Sequence, residues 1–289
     1  YTAVFAGFAV SLLGGSRVQI AGPTAAFATI VAGVILTQGM DGLFLATVIA
    51  GIILVVMGIL KLGSFIKYMP HTITVGFTGG IAVTILLGQI KDFLGLTYAD
   101  GVKPIETAEK IEANIAAADT FSPWALLIGA ISLAILIFYP KLEKKIPPSL
   151  IAVIIAALLV KFIPIFDKGV YTIGDLYTLP SGMPAPHLPQ LTLEEGETWI
   201  TLVKELFPSA FTIAMLGAIE SLLSAMVADG VIGDKHNSNT ELIAQGVANV
   251  VTPFFGGIPA TGAIARTMAN INNGGRTPVA GMVHALMLL

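Results

Sequence analysis

Hydrophobic residues occur in long runs along this chain, separated by short stretches that are rich in glycine, proline or charged residues. A membrane-spanning helix needs about 20 apolar residues, or fewer where it ends inside the protein. The pattern therefore predicts an all-α membrane protein with partial spans at 1–13 and 277–289, short helices at 23–38 and 262–272, and full spans at 42–60, 70–90, 123–139, 147–164, 206–228 and 241–254. We expect Asn239 or Thr240 to cap the last full span.

Two stretches cannot belong to a continuous membrane helix. Residues 14–23 (GGSRVQIAGP) read as a broken, extended segment, and the short helix after it begins at Pro23, a residue favoured at the first helical position. Residues 254–262 (FFGGIPATG) contain three glycines and a proline, which break a helix because glycine loses much backbone entropy and proline lacks an N–H. Each break precedes a short helix.

The charges of the loops suggest how the chain crosses the membrane. The loops at 61–69 and 140–146 are short and basic, whereas those at 91–122 and 165–205 are long and acidic. The positive-inside tendency places the basic loops, together with the mixed loop at 229–241, in the cytoplasm. With six full spans between the two short helices, the second helix must run opposite to the first, so their N-termini face each other near the bilayer midplane. Such inverted repeats are typical of secondary transporters.

Composition supports a membrane location and argues against other classes. The chain has 289 residues, of which 55% are hydrophobic and only 11% charged, and its mean hydropathy is +0.86. A soluble domain carries about 25% charged residues. The net charge of −3 and the lack of a basic patch argue against nucleic-acid binding. The absence of cysteine excludes disulfides and thiolate metal sites. Both ends lie inside apolar runs, so we expect an excerpt of a longer membrane protein.

Glu220 is a carboxylate well inside the span at 206–228. Ionisable residues at membrane depth cost a few kcal/mol and are usually functional. Glu220 belongs to a stripe of small and polar residues at helical spacing that also includes Ser224. We predict an ion-coupling site at Glu220 and Ser224, for a proton or sodium. The alternative is a structural carboxylate bonded to neighbouring serines or to broken backbone.

Arg266 is the one arginine inside a predicted helix, since Arg17 and Arg276 lie at segment ends. A helix N-terminus with an arginine one turn in favours an anion, because the free N–H groups and the guanidinium carry positive charge. The alternative is a salt bridge from Arg266 to Glu220. Both can hold in turn, since protonation of Glu220 would free Arg266. Neither an ATP-binding loop nor a nucleophile or metal motif occurs, so we expect no enzyme.

Several segments resemble the sulfate permease (SulP) family in an ordered combination that covers nearly the whole chain. They are SRVQIAGPTAA at 16–26, GQIKDFLG at 88–95, LGAIESLL at 216–223, VADG at 227–230, KHNSNTEL at 235–242, QGVAN at 245–249, FFGGI at 254–258 and the helix that carries Arg266. The resemblance implies fourteen membrane segments in two inverted repeats of seven. Residues 1–289 would then form a transporter domain of roughly segments 2 to 11, without the cytoplasmic STAS domain of family members.

The resemblance also implies an anion site between segments three and ten, formed mostly by backbone N–H groups. The implied residues are Ala21, Gly22 and Thr24 on one side, and Gly262, Ala263, Ile264, Ala265 and Arg266 on the other. Sodium-coupled bicarbonate members have aspartate where this chain has Glu220, and they lack the arginine. The chain looks closer to bacterial members that couple dicarboxylate or sulfate transport to protons.

The expected function is secondary active transport of sulfate or a related inorganic anion, by proton symport and alternating access. A C4-dicarboxylate transporter and a sodium-coupled bicarbonate transporter are alternatives on the same scaffold, and a passive anion channel or uniporter is an alternative of another class. We expect no metal and no cofactor beyond the coupling proton or sodium. The expected partners are a small anion, the lipid bilayer and a second copy in a homodimer. The expected location is the inner (plasma) membrane.

Overall fold

The computed structural model of the protein describes residues 1–68, 71–142, 146–167, 169–176, 182, 184–186, 188–189 and 198–289. These residues are mainly helical and belong to two compact units. The first unit comprises residues 1–78 and 182–289, and the second comprises residues 79–181. The predicted basic loops at 61–69 and 140–146 and the predicted acidic loop at 165–205 fall partly outside the described residues.

The first unit is built from helices and one pair of very short strands. In chain order its elements are α1 (Thr2–Leu13), β1 (Ala21–Gly22), α2 (Ala28–Ile59), the first part of α3 (His71–Leu94), α9 (Trp199–Ile232), α10 (Ser238–Val251), β2 (Thr261–Gly262), α11 (Ile264–Asn272) and α12 (Pro278–Met287). The second unit contains the rest of α3, then α4 (Thr107–Ala116), α5 (Pro123–Leu142), α6 (Pro148–Phe162), α7 (Pro164–Asp167) and α8 (Ile173–Leu176).

Helix α2 joins two elements that the sequence predicts as separate, the short helix at 23–38 and the full span at 42–60. The break between them is confined to Gly39, whose φ of 69° and ψ of −171° are not helical. Glycine accepts a positive φ because it has no Cβ. The helix also begins later than predicted, with a 3₁₀ turn at Ala25–Phe27 instead of at Pro23.

The core of the first unit lies where α2 packs against α9 and α10. Its largest buried apolar side chains include Phe27, Leu54 and Leu223. Helices α2 and α10 approach so closely that a methyl group added at Gly246 would lie 2.6 Å from the carbonyl oxygen of Gly51. Small residues that let two backbones touch are a common basis for helix association in membranes. The close crossing therefore fixes α10 in the centre of the unit.

The ends of α9 and α10 differ from the sequence prediction. Helix α9 begins at Trp199 instead of 206, because the Thr198 hydroxyl accepts a hydrogen bond from the Thr201 amide and caps it. Helix α10 is capped by Asn237, whose Oδ1 accepts from the amides of Asn239 and Thr240. The prediction that Asn239 or Thr240 is the cap was wrong, since these two residues supply the donors.

Helix lengths only partly match the predicted full spans. Within the described residues, three helices are long and apolar enough to cross a membrane, namely Ala25–Ile59, Pro123–Leu142 and Trp199–Ile232. Helices α6 and α10, both predicted as full spans, have 15 and 14 residues. The predicted loop at 91–122 contains a helix, α4, whose N-terminus carries a capping box of Glu106 and Glu109. Two backbone N–H groups bind the Glu109 carboxylate and lower its pKa.

Candidate functional site

The two broken stretches meet in the first unit as an antiparallel pair of strands. Ala21 lies opposite Gly262, and Gly22 lies opposite Thr261. The amide of Ala263 continues the pairing by donating to the Ile20 carbonyl oxygen at 2.9 Å. Each strand leads within a few residues into a helix, so the pairing brings the N-terminus of α11 and the 3₁₀ entry of α2 together. The predicted meeting of two half-helices is confirmed.

The backbone at the start of α11 is only partly available to a ligand. The Gly262 amide donates to Ser221 Oγ at 3.0 Å, and the Ala263 amide is bound to Ile20. Ala263 occupies the N-cap position, and no side chain caps the helix there. The first N–H groups of an α-helix have no partner within the helix. The amides that remain for an anion are therefore those of Ile264, Ala265 and Arg266.

Thr24 connects the opposite half-helix to Glu220. Its backbone is extended, with φ −126° and ψ 157°, at the N-cap position of the 3₁₀ turn. Its hydroxyl does not cap that turn but donates to Glu220 Oε2 at 2.9 Å. Ala21 and Gly22 precede it and are buried. Of the predicted residues of the first side, Thr24 thus contacts the predicted coupling carboxylate.

Glu220 lies on α9 and is 6% exposed. The serine next to it, Ser221, bonds to Thr261 Oγ1 at 2.7 Å and so joins α9 to β2. Ser224 donates to Thr267 Oγ1 at 3.3 Å and joins α9 to α11. Ser224, predicted to share the ion-coupling role, therefore bonds to Thr267 instead of Glu220. Ser221 and Ser224 thus hold α9 against β2 and α11.

Arg266 points back across β1. Its Nη2 donates to the Pro23 carbonyl oxygen at 3.4 Å, and its Nη1 is buried without a hydrogen-bond partner. The guanidinium occupies the space that a side chain at position 22 would need, because a Cβ added to Gly22 would overlap Nη1. In the part of the chain that the structure describes, the ion pairs are Arg17–Asp234 and His236–Asp229. Neither of them includes Arg266 or Glu220. The alternative of a Glu220–Arg266 salt bridge is therefore not what this structure forms.

Two buried amide side chains support the site and were not singled out from the sequence. Asn249 is 1% exposed and bonds to both the N–H and the carbonyl of Ala260, which fixes the approach to β2. Gln19 is 2% exposed and lies against Gly262, and neither of its amide atoms has a hydrogen-bond partner. Their position in otherwise apolar segments is the sequence signal that could have identified them, because burying a polar group costs free energy unless it is hydrogen-bonded.

The model of the sulfate permease family matches residues 1–289. The chain belongs to this family. It is 44% identical to the putative sulfate transporter YvdB of Bacillus subtilis over 294 residues, which cover 100% of the chain and 53% of that protein. It is 30% identical to the bicarbonate transporter BicA of Synechocystis sp., covering 99% of the chain and 50% of that protein.

Solved structures of the sulfate permease family and its relatives share the fold. The transmembrane domain of a cyanobacterial BicA matches with a TM-score of 0.80 and 29% identity, over 99% of this chain and 71% of that one. Murine Slc26a9 in its inward-facing state matches with a TM-score of 0.78 over 100% of this chain and 51% of that one, and at 19% identity it supports the fold alone. These matches confirm the predicted inverted-repeat membrane fold. The family and these relatives are transporters and not enzymes, as expected.

The chain spans about half the length of the curated relatives it matches.

Proposed function

We propose that this chain forms the anion-binding part of a secondary active transporter in the plasma (inner) membrane. The observation that carries the proposal is the β1–β2 pairing, which holds two helix N-termini together beside an arginine with an unpaired Nη1. Helix N-termini attract anions because their free N–H groups carry partial positive charge. An unpaired buried donor of a cation is costly, so Nη1 favours an acceptor with negative charge. An anion between Thr24 and Arg266 would supply it.

Glu220 is the group we assign to coupling. It is buried, it lies on α9, which packs against α11 and against the 3₁₀ turn that precedes α2, and it binds Thr24 of the anion site directly. A carboxylate near a bound anion repels it, and a proton on Glu220 removes that repulsion. Proton and anion would then bind together, which is the requirement for symport. Sodium could replace the proton by the same electrostatic reasoning, and alternating access of the site to the two sides would complete transport.

The substrate we propose is sulfate or a related inorganic anion. The relatives support this class, since one is named a putative sulfate transporter and another a bicarbonate transporter. A C4-dicarboxylate is the alternative on the same site, and bicarbonate with sodium is a second. A competition panel of sulfate, bicarbonate, succinate and fumarate in reconstituted liposomes separates them. Inhibition of uptake by succinate and fumarate but not by sulfate would refute the inorganic-anion assignment.

Glu220→Gln tests the coupling. The variant should lose anion accumulation driven by an inward proton gradient in proteoliposomes, because the amide cannot bind and release a proton. Glu205→Gln is a matched control, since Glu205 lies on the same helix and is exposed. Full retention of pH-driven accumulation in Glu220→Gln would remove Glu220 from the mechanism. Uphill accumulation by the unmodified protein would exclude a passive channel, because a channel cannot achieve it.

Arg266→Ala tests the anion site. We expect it to weaken anion binding by about 10- to 150-fold, because a hydrogen bond to a charged group contributes a free energy that corresponds to this change in affinity. Arg17→Ala is the control, because the Arg17 side chain is largely exposed and pairs with Asp234 at the surface, at 3.9 Å. Unchanged affinity in Arg266→Ala would show that the backbone N–H groups suffice. The homodimer implied by the family is a further proposal, which crosslinking in membranes would test.

A further inference from the structure

The second unit contains a cavity of about 650 Å³ with apolar walls. Leu87, Ile90 and Leu94 of α3 line one wall, at the spacing of one helix face. Ile111 and Ile115 of α4 line the other wall, again on one face. The volume falls within the range of roughly 300–1,000 Å³ that is usual for ligand pockets. The two facing apolar surfaces therefore line an open cavity suited to an apolar molecule.

The walls of this cavity are tied together by the backbone. The Ser122 amide donates to the Leu94 carbonyl oxygen at 3.0 Å, where α3 ends. The Thr97 amide donates to Thr120 Oγ1 at 2.9 Å, just after α4. The capping box at Glu106 fixes the first turn of α4. The cavity is thus built into the fold of the second unit.

One polar side chain lines the cavity with an unsatisfied donor. Asn114 is 9% exposed, and its Oδ1 accepts from the Tyr98 hydroxyl at 2.8 Å. The amide nitrogen, Nδ2, is buried and has no hydrogen-bond partner. A buried donor among aliphatic side chains is costly unless an acceptor is present. The cavity therefore favours an apolar ligand that carries one hydrogen-bond acceptor.

The cavity lies where two apolar helices end. It is formed at the last turns of α3 and next to the start of α5, a helix able to cross a membrane. Helix α4 is amphipathic, since it presents Ile111 and Ile115 on one face and also exposes charged residues, among them Glu109 and Glu112. Where a membrane-spanning helix begins or ends, a bilayer passes from hydrocarbon to its polar interfacial region. A glycerophospholipid presents ester carbonyls there, followed by an acyl chain.

We propose that this cavity binds one acyl chain of a membrane phospholipid, whose ester carbonyl accepts a hydrogen bond from Asn114 Nδ2. The acyl chain lies between the aliphatic faces of α3 and α4, and the ester is at the end where Asn114 and Tyr98 meet. The cavity is lined by residues of the second unit, whereas Glu220 and Arg266 belong to the first, so the proposal does not rest on the proposed transport mechanism.

The experiment uses the protein with its full natural sequence, reconstituted in lipid nanodiscs with a trace phospholipid that carries a photoreactive diazirine on its acyl chain. Two versions of the probe, one ester-linked and one ether-linked, differ in the carbonyl alone. We expect labelled peptides from 87–94 and 111–121, with the ester probe labelling them about 2- to 10-fold more than the ether probe. Asn114→Ala should abolish this preference while labelling persists.

Ile115→Trp fills the cavity and should reduce labelling by both probes. Ile115 is 72% exposed, so the larger side chain need not disturb the core. Ile154→Trp is the matched control, because Ile154 of α6 is also exposed and does not line the cavity. Size-exclusion profiles confirm that each variant is folded. Equal labelling in Ile115→Trp and Ile154→Trp, no label in the lining peptides, or equal labelling by both probes in the unmodified protein would overturn the proposal.

Discussion

Gly22 offers a way to move the Arg266 guanidinium without altering Arg266 itself. A methyl group at position 22 would overlap Nη1, whereas its next neighbours, Arg266 Cζ and Ala3 Cβ, lie at 3.4 and 3.5 Å. The backbone of Gly22 does not have a positive φ, so alanine is not strained there. Only the flexible end of Arg266 must give way. Gly22→Ala should therefore displace the guanidinium while the fold is kept.

The size of the effect follows from what the guanidinium contributes. A hydrogen bond to a charged group is worth about 1.5–3 kcal/mol, which corresponds to about 10- to 150-fold in affinity. We expect the dissociation constant of the anion, measured by isothermal titration calorimetry, to rise within this range in Gly22→Ala. The midpoint of thermal unfolding should change little. Gly33→Ala is the control, because nothing lies within 4 Å of a methyl group at that position in α2.

A double-mutant cycle distinguishes displacement of Arg266 from a direct effect of the added methyl group. If Gly22→Ala acts through the guanidinium, it should cost little further affinity in an Arg266→Ala background, because residues that share one interaction are not additive. The same loss of affinity in both backgrounds would refute this reasoning. Unchanged affinity in Gly22→Ala alone would refute it as well.

Two further predictions concern the scaffold around the site. Gly246→Ala should lower the midpoint of thermal unfolding, because overpacking against the Gly51 backbone costs about 1–3 kcal/mol. Gly230→Ala is the control, because Gly230 is also in a helix but nothing lies within 4 Å of a methyl group there, so the midpoint should stay unchanged or rise. Equal midpoints in the two variants would contradict the close crossing of α2 and α10. Asn249→Ala should destabilise the protein by about 2–4 kcal/mol, since it leaves both backbone groups of Ala260 buried and unpaired. Thermal unfolding followed by tryptophan fluorescence checks this, and a midpoint equal to that of the unmodified protein would contradict it.

The sequence by itself determined the local breaks and the helices they precede. Glycine and proline at 14–23 and 254–262 exclude a continuous helix for reasons internal to those residues, namely backbone entropy and a missing N–H. Counting spans between the two breaks then predicted half-helices with facing N-termini, which the structure confirms. The placement of Glu220 within a long apolar helix was equally a local property.

Only the tertiary structure decided which residues are partners. Glu220 binds Thr24, 196 residues away, and Arg266 reaches Pro23, 243 residues away. The sequence left a Glu220–Arg266 salt bridge open as an alternative, because charge alone makes it attractive. The pairing of β1 with β2 instead holds Arg266 across Gly22. Hydrogen bonding requires atoms within about 3 Å at suitable angles. Between residues so far apart in the chain, that geometry is set by the packing of α9 and α11 around two short strands. No local pattern of residues contains this information.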